Sequence, residues 1–505
     1  MEYWSNGVMI AILLTPIITA VICYMLKGYR PIGYVNLMGA VVLTLFGVPT
    51  IISSISSPIE IMNGMLYMDA LSGYIMAMII FLGLASSIYS IGYLEHELYV
   101  GLVDIAGMRR YYTLLHLFIF TMLLVAVSNN LALMWIAIEA TTIVSAVLIG
   151  LGYTKRPMAI EAAWKYIILC TVGITFALLG TFIAYYATTA VMGVEGALNW
   201  TAIKGMAGKL NPSTMKLAFI FILVGYGTKA GLAPLHNWLP DAHSEAPSPI
   251  SALLSGILLN TAFYGIMRFV SIVEPSTGDV FTGNLLIIFG LISMGISAIF
   301  ILVQENYKRL LAYSSIEHMG IISLSIGIGG PVGLYGAMLH ILNHALSKPL
   351  MFYASGKIQS RYGSTRIENV TGVLSSMPLL GTLTFIGVLS LSGTPPFNIF
   401  LSEFTVLKAG VDKGLWPAVG LFLLFVVIVF YGMLSGFGKM LFGSNRQSAV
   451  SHQQTAFAEG RVSINNALSN AVMITIALFI IVLGLKIPDF IDSTIKACIN
   501  VLEVR

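Results

Sequence analysis

The chain has 505 residues, 57% of them hydrophobic and only 10% charged, with a formal net charge of +4. So apolar a composition leaves too little polar surface for a water-soluble protein and marks an integral membrane protein whose solvent is the lipid bilayer. Three widely separated cysteines, Cys23, Cys170 and Cys498, give no CxxC pair, cluster ligand set or disulfide framework, and the dispersed basic residues exclude a nucleic-acid patch.

A span needs about 20 apolar residues, so with its loops the chain holds about 14. Apolar runs fall at 7–26, 33–53, 71–93, 112–127, 131–152, 164–188 and 215–233, then at 249–272, 284–303, 309–329, 332–355, 374–395, 415–440 and 469–486. They are too long for barrel strands, and a backbone in lipid must satisfy its own polar groups, so all are predicted to be α-helices. The first run follows an acid and lacks a small-residue cleavage site, which makes it a span rather than a signal peptide.

Basic residues alternate between loops. Odd-numbered loops carry fourteen, namely Lys27, Arg30, Arg109, Arg110, Lys155, Arg156, Lys308, Arg309, Lys357, Arg361, Arg366, Lys439, Arg446 and Arg461. Even loops and their edges carry six, Lys204, Lys209, Lys216, Arg268, Lys408 and Lys413. This asymmetry predicts that the odd loops are cytoplasmic and both termini outside. The longest polar stretch, 443–469, is expected to be a cytoplasmic linker, with a partner-docking role left open.

Two runs are interrupted. The seventh reads KLAFIFILVGYGTKAGLAPLHNWLPDAHSEAPSP, broken at Gly231, Pro234 and Pro240, and the twelfth reads LTFIGVLSLSGTPPFNIFLSEFTVLKAG, broken at Gly393, Pro395 and Pro396. Proline removes a donor and opens the preceding turn, so each break exposes backbone that lipid penalises unless it lines a protein or water cavity. The breaks lie five helices apart and therefore enter from opposite sides, the arrangement of an inverted repeat; the plainer alternative is two unrelated kinks.

Charges stand where lipid is expected. Glu139 lies inside the fifth run, Lys165 near the start of the sixth, Lys229 just before the first break and Glu403 just after the second. A mid-bilayer charge costs about 3 kcal/mol, so these groups are expected to face one another or water, and proton transfer onto one changes the affinity of the next. For each, the competing reading is a helix-end charge that reaches the interface, and it weighs most for Lys165. His340, His344 and Lys348 recur every four positions and share one face of the eleventh run, where they suit proton carriage better than metal binding. Asp241, His243 and Glu245 read equally as a metal-like cluster and as loop-capping residues. Glu317 and His318 are adjacent, point about 100° apart, and so only one of them is expected to face a shared channel.

These residues carry a resemblance. APLHNWLPDAHSEAPSPISALLSGILLNTAFYG, KRLLAYSSIEHMG, LNHALSKPLMFYASG and SGTPPFNIFLSEF resemble the antiporter-like membrane subunits shared by respiratory complex I, Mrp-type sodium/proton antiporters and membrane-bound hydrogenases, most strongly over 65–440. IEATTIVSAVLIG, AAWKYIILC and the glutamate before His318 look most like the hydrogenase-4 F-type subunit of formate hydrogenlyase-like and related energy-converting hydrogenase complexes. The resemblance implies an all-α, polytopic fold of about 14 spans, with helices four to eight and nine to thirteen as inverted five-helix repeats. The corresponding division is 1–111, 112–272, 284–440, and 441–505 as linker and C-terminal helix. It puts the ion-translocating roles on Glu139, Lys165, Lys229, His340, His344, Lys348 and Glu403, with His318 beside them. The lysine the family carries in its eighth helix is here Asn260, which does not titrate, so water or a neighbour such as His243 or His318 must bridge.

The expected function is proton or sodium translocation, coupled to redox chemistry in partner subunits: other membrane subunits and a peripheral arm holding iron–sulfur clusters and nickel–iron. No cofactor or metal is expected in this chain. Alternatives are a subunit of an NADH-quinone oxidoreductase or of a Mrp-type antiporter, a stand-alone transporter or a scaffold. A quinone reductase in its own right is disfavoured by the few cysteines and the lack of a Gly-rich dinucleotide fingerprint.

Overall fold

The computed structural model describes residues 2–150, 157–443 and 463–503. Lys155, Arg156, Arg446, Arg461 and most of the expected linker therefore lie outside the described residues.

Helices α1 (Glu2–Met25) and α2 (Tyr29–Ser56) lead into a hairpin of β1 (Ile59–Ile61) and β2 (Leu66–Met68), antiparallel with Ile59 opposite Met68. Then come α3 (Ala70–Tyr99), α4 (Ile105–Val127), α5 (Leu131–Gly150), α6 (Pro157–Met192) and the short α7 (Trp200–Met206). The seventh run forms α8 (Pro212–Ala230) and continues as α9 (Trp238–Glu245). Next, α10 (Ser248–Leu253) joins α11 (Leu259–Thr277) through a π turn over 254–258. The second part comprises α12 (Asp279–Ile301), α13 (Tyr307–Ile328), α14 (Gly330–Tyr362), α15 (Val373–Ser376), α16 (Pro378–Leu391), α17 (Asn398–Asp412), α18 (Trp416–Phe442), α19 (Ser463–Leu485) and α20 (Asp489–Leu502).

Every one of the fourteen apolar runs falls on a helix. Eleven helical stretches among the described residues are long and apolar enough to cross a membrane. The other three runs fall on α8 and α16, which stop at the breaks, and on α14, which carries His340, Asn343, His344 and Lys348. Helix starts follow local chemistry: Asp69 accepts from Ser72 N at 2.9 Å, Asn211 from Thr214 N at 3.1 Å and Asn306 from Lys308 N at 2.9 Å, each satisfying an orphan donor of the first turn. Where helices cross closely, small residues allow it. A Cβ on Gly290 of α12 would lie 2.7 Å from the Gly320 carbonyl of α13, and one on Gly225 of α8 only 2.4 Å from Ala177 N of α6.

Helices α10, α11, α13 and most of α14 are buried nearly all round, whereas α1, α2, α6, α12 and α18 turn a large share of their apolar residues outward, as lipid-facing helices do. Arg268 corrects the loop count made from sequence. It is buried in α11, paired with Asp69 at 2.7 Å through both guanidinium ends and stacked 4.1 Å from the Trp200 ring, so it is an internal ion pair rather than a loop charge. Such a pair is sustainable in the interior because further acceptors surround the guanidinium, Ser72 at 2.9 Å and Tyr264 at 3.0 Å from Nη2.

Candidate functional site

The two breaks use the same local device. α8 closes on Gly231 at φ +78, with Leu232 N bonded to Gly227 O at 2.8 Å; α16 closes on Gly393 at φ +62, with Thr394 N bonded to Leu389 O at 3.1 Å. The left-handed conformation costs an L-residue roughly 1–2 kcal/mol, so glycine occupies both positions. Each glycine precedes a cis-proline by three residues, Pro234 and Pro396. Side chains reach both breaks: Trp238 Nε1 donates to Thr228 O at 2.9 Å near the end of α8, and Asn343 Nδ2 donates to Asn398 O at 2.7 Å at the start of α17.

In the first part, Lys229 is wholly buried. Its Nζ donates to Thr142 Oγ1 at 2.8 Å and Tyr166 Oη at 2.5 Å, and Tyr166 is held in turn by Ser145 at 2.7 Å. Glu139, one turn before Thr142 on α5, is half-buried; its Oε1 accepts from Thr171 at 2.9 Å and its Oε2 has no partner. Lys165 stands apart from this group. Its side chain is 48% exposed and pairs with Glu161 at 2.7 Å and Asp241 at 3.3 Å. Asp241 also binds Arg309 at 2.5 Å, so Asp241, His243 and Glu245 form no ligand cluster among the described residues.

Between the halves, Trp238 lies 4.7 Å from the Tyr166 ring and 6.3 Å from His243, which lies 5.5 Å from Phe352. His243 is fully buried with both ring nitrogens unpartnered. Asn260 is also buried; its Nδ2 donates to Gly256 O at 2.8 Å and its Oδ1 lacks a partner. Such unmet groups are where an internal water belongs.

The second part is richer in titratable groups. His340 joins His318 at 3.1 Å and Ser402 at 2.9 Å; the His344 ring lies 5.4 Å from His318. Both ring nitrogens of His340 are thus engaged, one with His318 and one with Ser402. Lys348 Nζ donates to Leu311 O at 2.9 Å and to Ser314 Oγ. Glu403 is buried on α17 against the broken end of α16: a Cβ on Gly393 would sit 2.0 Å from its Oε2.

Glu317 overturns an expectation. It was to point away from the channel if His318 faced it, yet both are buried and Glu317 Oε2 lies 3.7 Å from His318 Nε2. The 100° offset is real, but α13 is surrounded on all sides, and the long glutamate side chain swings into the same cluster. Sequence reasoning thus missed Glu317 as a site residue, although a glutamate inside an apolar run is the signal that picked out Glu139. Tyr166 and Trp238 were missed because only tertiary packing reveals them.

Fold and site together define a polytopic all-α membrane protein with two interrupted helices and a buried series of ionisable side chains. Residues 128–430 match the family described as NADH:quinone oxidoreductase/Mrp antiporter, TM, and the chain belongs to that family, as a multi-pass protein of the cell membrane. It is 37% identical to a hydrogenase-4 component F homolog of Methylacidiphilum infernorum, over 84% of this chain and 90% of that protein. It is 30% identical to hydrogenase-4 component B of Escherichia coli, over 70% of this chain and 52% of that protein. Among solved structures, the fold is similar to a chain of an archaeal membrane-bound sulfane sulfur reductase, with TM-score 0.85 and 25% identity over 98% of this chain and 97% of that one. It also matches a chain of a Mrp complex from Dietzia sp., with TM-score 0.82 and 18% identity over 99% and 98%, which bears on the fold alone.

Proposed function

We propose that this chain translocates protons, as an antiporter-like subunit of a membrane-bound energy-converting redox complex of the hydrogenase-4 or formate hydrogenlyase-like kind. The observation that carries this reading is the buried series running from Lys229 past His243 to His344, His318 and Glu403. The high identity to a hydrogenase-4 component F homolog over nearly the whole of both chains supports the kind of complex.

In this reading the charge on Lys229 is controlled by Glu139: an opposite charge nearby favours the ammonium, and its removal releases a proton inward. Thr142 and Tyr166, the latter held by Ser145, accept from the ammonium without neutralising it, so the proton can leave. Water at His243 and Asn260 carries it across the central step that a lysine would otherwise serve. His344, His318 and His340 pass it on to Glu317 and Glu403, where the second break exposes polar backbone. Lys348 sets the field at this end. Lys165, with Asp241 and Arg309, guards the rim rather than the path. Both termini lie outside, and the division at 112–272 and 284–440 separates the two half-paths. Electron transfer belongs to partners, other membrane subunits and a peripheral arm bearing iron–sulfur clusters and nickel–iron, because this chain's three cysteines are buried and separate.

In the intact complex, Lys229→Ala and Glu139→Gln should each lower proton movement per electron transferred by at least about tenfold, with electron transfer itself uncoupled or slowed. Full translocation by both variants would end the proposal. Sodium uptake in place of alkalinisation would reassign the ion, and the redox subunits that copurify would decide between hydrogenase, quinone-reducing and Mrp-type assemblies.

A further inference from the structure

Glu317, His318 and Glu403 bring one ligand atom each to within 4.8 Å of one another, all buried. The hydrogen bonds behind them allow a tautomer that turns a lone pair into the cluster. Ser402 Oγ lies 2.8 Å from Ile399 O and 2.9 Å from His340 Nδ1; in the arrangement where its proton goes to Ile399 O, it accepts from His340. A neutral imidazole that donates from Nδ1 accepts at Nε2, so His340 Nε2 accepts from His318 Nδ1–H at 3.1 Å. That leaves a bare lone pair on His318 Nε2, buried, without a hydrogen-bond partner, and 3.7 Å from Glu317 Oε2, which is likewise unpartnered. When both carboxyls are ionised, three acceptors thus converge with no donor between them. Lys348 directs its ammonium to Leu311 O and Ser314 Oγ instead. In a water-poor interior such a triangle calls for a cation at its centre.

We propose that Glu317, Glu403 and His318 Nε2 form a cation site that accepts a divalent ion of the zinc class in competition with the proton. Two carboxylates and one imidazole, with a fourth position for water, are a donor set that suits Zn2+, whereas an alkali ion gains little from imidazole nitrogen. Bonds of about 2.0–2.2 Å bring tetrahedral ligand atoms to roughly 3.5 Å apart, a closure of about 1 Å that glutamate rotamers supply. The His340–Ser402 chain is the outer shell that orients the ligand nitrogen, making His340 a positioning residue. The binding stands on this geometry alone; that a bound ion blocks transport rests on the proton path proposed above.

The purified full-length chain, titrated with Zn2+ and with Co2+ as a visible reporter of tetrahedral coordination, tests the site. One saturable ion per chain is expected, lost in Glu317→Gln and in Glu403→Gln, weakened about 10–100-fold in His340→Ala and retained in Glu139→Gln, with unchanged size-exclusion elution certifying each variant's fold. Equal affinity in the wild type and Glu317→Gln, or displacement of Co2+ by excess Na+, would overturn the proposal. If the ion binds as described but the loaded complex still moves protons at full rate, the cation site stands and the proton path fails.

Discussion

At the α8 break the buried ammonium of Lys229 is met by hydroxyl oxygens, Thr142 at 2.8 Å and Tyr166 at 2.5 Å, whereas at the α16 break the carboxylate of Glu403 presses on Gly393 and faces Glu317 and His318. The backbone device is common to both, a left-handed glycine followed three residues later by proline, but the sign of the charge it shelters is opposite. The cation at the first break has hydroxyl acceptors to bond. Acceptors facing acceptors are stable only when something positive arrives. In the translocation proposed above, the first break would hold charge and the second receive it, a division of labour that the common backbone does not disclose.

The sharpest way to break this contrast is to substitute the two glycines. Gly393→Ala places a methyl 2.0 Å from Glu403 Oε2, while Gly231→Ala places one 2.4 Å from Leu239 Cδ1. Both pay the left-handed penalty of roughly 1–2 kcal/mol, but only the first displaces a charged group. Proton translocation in the complex should fall at least about tenfold more in Gly393→Ala than in Gly231→Ala at matched expression; equal losses would show that the contrast between the breaks is only steric. A smaller effect is expected of Tyr166→Phe. It removes one acceptor from the Lys229 ammonium, worth about 1.5–3 kcal/mol for a bond to a charged group, and leaves Thr142 in place. Translocation should slow by roughly tenfold while thermal stability changes little, and an unchanged rate would make Thr142 the sufficient partner. The smallest belongs to Asp241→Asn. Its partners Lys165 and Arg309 are partly solvated, so water and salt screen these pairs and each contributes little. A drop in translocation as large as that of Lys229→Ala would bring the rim into the path.

The order of the helices was legible because lipid imposes a simple rule: about 20 apolar residues for each crossing. Both breaks were legible too, since Gly231 with Pro234 and Gly393 with Pro396 interrupt otherwise apolar text. Lys229, His340, His344 and Lys348 were legible as isolated polar letters in such text, and the structure buries all four. Direction was harder. Periodicity gives the angle of Glu317 on α13 but not what surrounds that helix, and α13 has neighbours on every side. Lys165 shows the converse, for a charge eight residues into α6 is still close enough to the helix start to pair with Asp241. The β1–β2 hairpin and α20 escaped notice because neither is apolar enough to register as a span. For α20 the signal was there, in Ile491, Ile495, Cys498 and Leu502 along one face.

That last helix has a mechanical consequence. Cys498 Sγ sits 3.4 Å from the Ala70 carbonyl at the head of α3, Asp492 accepts from Tyr335 of α14 at 2.8 Å, and the Val501 carbonyl accepts from Lys204 of α7. One rod is thus riveted at three points to segments on both sides of the molecular midline. A rocking of one bundle against the other would have to break those contacts on this face, which favours side-chain swings and wetting inside a fixed frame for the proposed translocation.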